Sequence, residues 1–235
     1  MAKKKKNKKK TAPQPRAPEP KPACQLYLIT PPVIEDLDKF ADDLRAALSA
    51  APDDAPVASV QIRLKNPDNS PIDSSALIQA ANVIVPIAHE YGAVALINDH
   101  PELVEQCNAD GAHIGQGDMD YLSSRDMLGA DAILGVTCHN SRELAFNAAS
   151  SGADYVAFGA FFETQTKTVI AKAELELLSW WSETIEVPCV AIGGITVGNC
   201  APLIAAGADF LAVCSGVWNH EGGPAAAVAA FTAQF

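Results

Sequence analysis

The sequence predicts a single (β/α)8 barrel, and three observations carry that prediction. Short apolar runs alternate with amphipathic, Ala- and Leu-rich segments along the whole chain after its first residues. Eight such pairs fit into about 210 residues, close to the usual size of this barrel. Hydrophobic residues make up 49% of the chain but aromatics only 6%, so small aliphatic side chains must do the packing, as in layered α/β proteins. A doubly wound open sheet is the rival arrangement of the same units.

Residues 1–23, "MAKKKKNKKKTAPQPRAPEPKPA", hold nine of the 17 Lys and Arg and one of the 28 acidic residues. A Lys-, Pro- and Ala-rich stretch with no apolar segment reads as a disordered, solvated arm and not as a secretory signal. A weak electrostatic contact with anionic surfaces, or with the acidic body itself, is the other reading. Residues 24–235 form the expected barrel, with eight basic residues against 27 acidic ones. So acidic a body excludes nucleic acid as a partner, because phosphate contacts dominate that affinity.

No apolar run approaches the ~20 residues that span a bilayer, so no membrane segment is expected. The six cysteines (24, 107, 138, 189, 200 and 214) show neither CxxC nor zinc-ligand spacing. Reduced thiols and a cytoplasmic location follow as expectations. Oligomeric state is not encoded legibly; a monomer and a homo-oligomer both stay open.

The expected strands are 25–30, 57–64, 94–98, 112–114, 132–137, 155–158, 189–192 and 210–213. The expected helices are 35–48, 74–91, 101–107, 121–127, 141–151, 173–184, 197–206 and 224–235. Three phrases, "NADGAHIG", "SGADYVAFG" and "AGADFLAV", share one plan. A helix ends near Gly or Asn, an Asp follows, and a buried strand begins. In such a barrel chemistry sits at the C-terminal ends of the strands.

The second strand, "VASVQIRLK", alternates Gln61, Arg63 and Lys65 with Val60, Ile62 and Leu64. Its polar face points into the barrel mouth, where two cations need an anion, either a ligand or an acidic side chain. Asn98 and Asp99 end the third strand, and Asp118 follows the fourth. Two carboxylates on neighbouring strand ends can share one Mg²⁺ with water and phosphate oxygens, or serve as turn and helix caps. Thr137 ends the fifth strand with a hydroxyl to offer, and His139 beyond it reads as an acid–base group or as a cap. The stretch "GAFFETQTKT" after the sixth strand supplies Thr164, Thr166 and Lys167, hydroxyl donors and a point cation suited to phosphate. Gly194 after the seventh strand and Ser215 after the eighth complete the set at the usual phosphate site of these barrels.

Taken in order, "LYLIT", "QIRLK", "INDH", "GAHIGQGD", "GVTCH", "GADYVAFGAFFETQTK", "PCVAIGGI" and "AGADFLAVCSG" resemble the thiamine phosphate synthase family from Gln25 to Gly216. The resemblance implies a (β/α)8 transferase that joins hydroxymethylpyrimidine pyrophosphate to thiazole phosphate with Mg²⁺. By that resemblance Gln61, Arg63, Lys65, Asn98, Thr137 and Lys167 hold the pyrimidine pyrophosphate, and Asp99 and Asp118 hold the metal. Thr164, Thr166, Gly194 and Ser215 line the thiazole phosphate site. Leu64 stands where the family usually has an acidic residue, and Ala160 where it has Pro. A thiazole tautomerase-like enzyme, in which a catalytic His takes the place of Ala160, is one alternative. A divergent, non-catalytic paralogue that binds phosphates or thiamine precursors is another, and some other phosphate-handling barrel is a third.

Overall fold

The computed structural model describes residues 23–68, 70–164 and 171–235. Eight parallel strands close into a barrel in chain order, the eighth pairing back onto the first. They are β1 (Gln25–Ile29), β2 (Val57–Ile62), β3 (Val94–Asn98), β4 (Gly111–Ile114), β5 (Ile133–His139), β6 (Tyr155–Phe158), β7 (Cys189–Ile192) and β8 (Phe210–Val213). The helices are α1 (Leu37–Ser49), α2 (Ser74–Glu90), α3 (Tyr121–Leu128), α4 (Arg142–Ser150), α5 (Leu175–Thr184), α6 (Ala201–Ala205), α7 (Ser215–Trp218) and α8 (Gly223–Thr232). The architecture is the expected (β/α)8 barrel.

Parallel strands covered by helices are buried on both faces, which is why they read as continuous apolar runs. Side-chain alternation then sorts them into two layers. Leu26, Leu28, Val60, Ile62, Leu64 and Ile97 join the large core between sheet and helices. Tyr27, Ile29, Leu96, Tyr155, Ala157, Val190 and Ala212 form a separate cluster inside the barrel. Leu64 therefore lies outside the barrel lumen, as alternation along the second strand requires.

Helix starts follow local capping chemistry. The Asp36 carboxylate accepts the Lys39 N–H at 2.9 Å, Asp120 accepts that of Ser123 at 3.1 Å, and the Ser141 hydroxyl accepts that of Leu144 at 3.2 Å. The repeated phrase also acquires a cause. Asp110, just before β4, accepts the Ala95 N–H of β3 at 2.7 Å. Asp154, before β6, accepts the Leu134 N–H of β5 at 2.8 Å. Asp209, before β8, accepts the Cys189 N–H of β7 at 2.8 Å. Each Asp thus ties its strand to the start of the preceding one, at the N-terminal end of the barrel.

Four elements depart from expectation, and one is the helix expected over 197–206, which covers only Ala201–Ala205. The segment 101–107 makes only a 3-10 turn at Pro101–Leu103 and loose turns after it. Its first backbone bonds close three-residue turns, Leu103 N–H to the His100 carbonyl at 3.1 Å and Val104 N–H to the Pro101 carbonyl at 3.2 Å. β2 ends at Ile62, because the chain swings out so that the Lys65 N–H meets the Pro32 carbonyl at 2.8 Å and Lys65 bridges Pro71. A short helix, α7, follows β8 where none was expected. The Trp218 indole N–H at its end donates to the Ile29 carbonyl at 2.6 Å, closing β8 onto β1. No helix among the described residues is long and apolar enough to cross a membrane. Residues 1–22 of the basic arm, Thr166 and Lys167 lie outside the described residues.

Candidate active site

A polar floor inside the barrel takes Gln61, Asn98, His113 and Thr137 from the C-terminal halves of β2 to β5, with Tyr27 of β1 and Tyr155 of β6. Gln61 and Asn98, buried at 3% and 7% exposure, face each other, and the Gln61 amide N–H donates to Asn98 Oδ1. The Tyr27 hydroxyl donates to Gln61 Oε1 at 2.7 Å and lies 2.8 Å from the Tyr155 hydroxyl. His113 continues the line, with Nδ1 at 2.9 Å from the Tyr155 hydroxyl and Nε2 at 2.7 Å from Thr137 Oγ1. Burial pushes both phenols up from their ordinary values, so both stay neutral and protonated at working pH.

Room for this floor is written into a glycine. Gly135 of β5 pairs in register with Tyr155 of β6, and a Cβ there would sit 1.9 Å from the Tyr155 ring. Any other residue at 135 would push the ring off its partners.

Above the floor stand the charges. Arg63 is half-buried, and its backbone N–H donates to Thr30 Oγ1 at 2.9 Å. Burial pulls the guanidinium down from its ordinary value, and the nearby Asp99 carboxylate opposes that shift. A guanidinium keeps its charge regardless. The Lys65 ammonium meets the Asp99 carboxylate at 2.9 Å, with the two side chains 14% and 20% exposed. Asp99 adopts a left-handed backbone, φ 64°, at the turn leaving β3, and its N–H is held by the His113 carbonyl at 2.8 Å. Of the two sources of negative charge that the sequence left open, an acidic side chain is therefore present at Lys65.

Asp118 is exposed beyond β4 and accepts the Gly115 N–H at 2.7 Å, a turn-capping contact. Asp99 and Asp118 follow neighbouring strands, and their hard carboxylate oxygens suit Mg²⁺. Among the described residues no three His, Cys, Asp or Glu side chains gather into a metal-holding group. An ion held by two carboxylates takes its remaining oxygens from water and substrate, so the donor set fits Mg²⁺ as a substrate-completed site.

The far side of the mouth is built from backbone. The Phe161 and Phe162 N–H groups donate to the Ile192 and Gly193 carbonyls at 3.1 and 3.0 Å, laying the segment after β6 on the turn after β7. Gly194 sits there at φ 64°, and a Cβ on it would meet the Glu163 carbonyl oxygen at 2.2 Å. This close approach puts Thr164 beside Gly194. The Asn199 amide donates to the Gly194 carbonyl at 3.0 Å and accepts the Thr196 N–H at 2.8 Å, fixing the turn. Ser215 is exposed at the first position of α7. His139 lies at φ 52° after Thr137, where the β5–β6 register shifts.

The described residues among those the sequence singled out thus group on two sides. Gln61, Arg63, Lys65, Asn98, Asp99, Asp118 and Thr137 lie on the β2–β5 side. Thr164, Gly194 and Ser215 lie on the β6–β8 side. Sequence reading missed Tyr27, His113, Tyr155 and Asn199. The signal for the tyrosines was available, because alternation in "QLYLI" and "YVAF" puts each on the lumen face.

Comparison with known proteins follows the same outline. A family model described as thiamine monophosphate synthase matches residues 26–217. A thiamine-phosphate synthase from Hyphomonas neptunium is 53% identical over 217 residues, covering 92% of this chain and 96% of that one. Another from Rhodospirillum centenum is 53% identical over 209 residues, covering 88% and 96%. The solved thiamine phosphate pyrophosphorylase of Pyrococcus furiosus superposes with a TM-score of 0.73 at 27% identity, covering 89% of this chain and 94% of that one.

Proposed function

Because the chain belongs to the thiamine monophosphate synthase family, we propose that its barrel mouth joins a pyrimidine pyrophosphate to a thiazole phosphate. The enzyme is a transferase of thiamine-phosphate synthesis. The observation that most supports the assignment of roles is the pair of cations, Arg63 and Lys65, set beside a buried hydrogen-bonded polar floor.

In this reading the bond from the pyrimidine's methylene carbon to the pyrophosphate oxygen breaks, and its electrons leave with pyrophosphate. The thiazole nitrogen lone pair then forms the new C–N bond. No side-chain nucleophile and no proton transfer are needed. The protein must hold positive charge and donors where pyrophosphate charge grows. Arg63, Lys65, Asn98 and Lys167 do that, with Gln61 and Thr137 orienting the same ligand. Mg²⁺ on Asp99 and Asp118 would supply further charge neutralisation at the leaving group. Thr164, Thr166, Gly194 and Ser215 hold the thiazole phosphate, and alignment of the two substrates lowers the barrier further. Ala160 offers no imidazole for a tautomerase reaction, which favours the synthase reading.

The test is direct. Purified full chain is incubated with hydroxymethylpyrimidine pyrophosphate, thiazole phosphate and Mg²⁺, and thiamine phosphate is followed by thiochrome fluorescence with an EDTA control. Metal-dependent product is expected. A folded protein that binds both substrates yet makes no product overturns the reading in favour of a non-catalytic binder.

A further inference from the structure

Six side chains form one unbroken hydrogen-bonded line under the mouth, running Asn98, Gln61, Tyr27, Tyr155, His113, Thr137. It crosses the lumen from β3 to β5, and its middle members are buried: Tyr27 at 3%, Tyr155 at 7% and His113 at 5% exposure. A neutral phenol has one proton, a neutral imidazole has one N–H, and an amide has one donor end and one acceptor end. With the imidazole neutral and each phenol proton used within the line, only two directions satisfy all five bonds, and they are opposite in polarity.

In the first state the Gln61 amide N–H donates to Asn98 Oδ1 and its carbonyl accepts from Tyr27. Tyr27 must then accept from Tyr155, and Tyr155 must accept from His113. His113 carries its proton on Nδ1, leaving Nε2 to accept the Thr137 hydroxyl proton. The outward-facing remainder is an Asn98 NH₂, turned away from Gln61, and the lone pairs of Thr137. In the second state every bond reverses, and Asn98 shows its carbonyl oxygen to the mouth. An anion beside Asn98 is repelled by that oxygen and attracted by the amide N–H groups, so it selects the first state.

We infer that Tyr27 and Tyr155 are positioning residues that couple Asn98 to Thr137, holding Asn98 as a donor and Thr137 as an acceptor toward the bound substrate. The inference rests on the anion-binding reading of the mouth and sharpens it. Asn98 meets phosphate oxygen, whereas Thr137 is aimed at an N–H group of the same substrate, such as an exocyclic amine on a heteroaromatic ring. The Thr137 carbonyl is already engaged by the Gln116 amide at 2.7 Å, which keeps the residue from swinging away.

The tautomer of His113 reports the direction of the whole line. Full-length protein labelled with ¹⁵N-histidine is read by long-range ¹⁵N–¹H correlation, alone and with inorganic pyrophosphate, with His113→Gln to assign the signal. The neutral Nδ1–H form is expected in both samples. In Tyr155→Phe the ring moves to the Nε2–H form, and KM for the pyrimidine pyrophosphate rises about tenfold while KM for thiazole phosphate holds. Tyr27→Phe leaves His113 bonded to Tyr155 and gives a smaller KM rise. A wild-type Nε2–H tautomer overturns the inference even if neither variant folds. So does a Tyr155→Phe protein with both tautomer and KM unchanged. A failed synthase assay leaves the tautomer readable, so the two ideas fail separately.

Discussion

Both ends of this barrel place carboxylates against backbone and side-chain donors, but they use them for opposite purposes. At the N-terminal end Asp110, Asp154 and Asp209 each accept the N–H of a neighbouring strand, at 2.7, 2.8 and 2.8 Å. Those N–H groups stand where a parallel strand begins, so the carboxylates satisfy donors that the sheet would leave unpaired. At the C-terminal end Asp99 is held in a left-handed turn against the ammonium of Lys65. That contact is between two side chains, and in the proposed reaction Asp99 would turn to the metal ion and Lys65 to the phosphate. The two ends differ in the donor that each carboxylate meets across strands, a backbone N–H at Asp110, Asp154 and Asp209 and an ammonium at Asp99.

The largest effect that separates the two ends is expected from Lys65→Ala. Removing a cation from the place where pyrophosphate charge grows should lower kcat by about 10²–10³. The ion pair is partly exposed, so its loss costs about 1 kcal/mol and lowers Tm by only about 2–4 °C. A parallel loss of turnover is expected for Lys167→Ala, with the steady-state thiochrome assay as the readout. Wild-type kcat in both variants would remove the anion cradle from the account.

Asp154→Ala is the counterpart at the other end and comes next in size. It strips an acceptor from the Leu134 N–H and a partner from Arg125, whose guanidinium lies 2.6 Å from the same carboxylate. Leaving a buried donor unpaired costs about 2 kcal/mol, or roughly 4–8 °C in Tm for a chain of this size. Calorimetry should show that drop with kcat unchanged, the reverse of the Lys65 result. A fall in kcat at constant Tm would mean that the two ends are not separate in function.

Much of this division was legible in the sequence, and the exceptions have physical causes. The repeated phrase, Asn-Ala-Asp once and Gly-Ala-Asp twice, announced αβ units, yet nothing local says that its Asp reaches across to the strand before it. Alternation in "SVQIRLK" correctly separated Gln61 from Val60 and Ile62 and sent Leu64 to the helix side. Where the strand ended was invisible, because the bend after Ile62 is set by contacts with Pro32 and Pro71. The floor escaped notice for a different reason. Tyr27, His113 and Tyr155 sit in apolar runs where an aromatic passes for core, and their polar ends meet only after the barrel closes. The four-residue α7 is too short to leave a periodic trace.

The smallest effect is expected from deleting residues 1–23. That segment enters the fold at Gln25, the first residue of β1, and so at the structural end of the barrel. Fully extended it could still span about 70–80 Å, enough to bring lysines near the mouth, so distance alone does not isolate it. At 0.15 M salt the Debye length is about 8 Å, so the lysines of the arm aid substrate capture only while they lie within about that distance of the mouth. The truncated enzyme should therefore keep kcat/KM within about twofold at physiological salt. A deficit that appears only at low salt would reveal weak electrostatic steering of anionic substrates, with the division between the ends intact. A large deficit at all salt concentrations would mean that the arm reaches over the barrel and supplies charge to the mouth, and the two ends would then be one site.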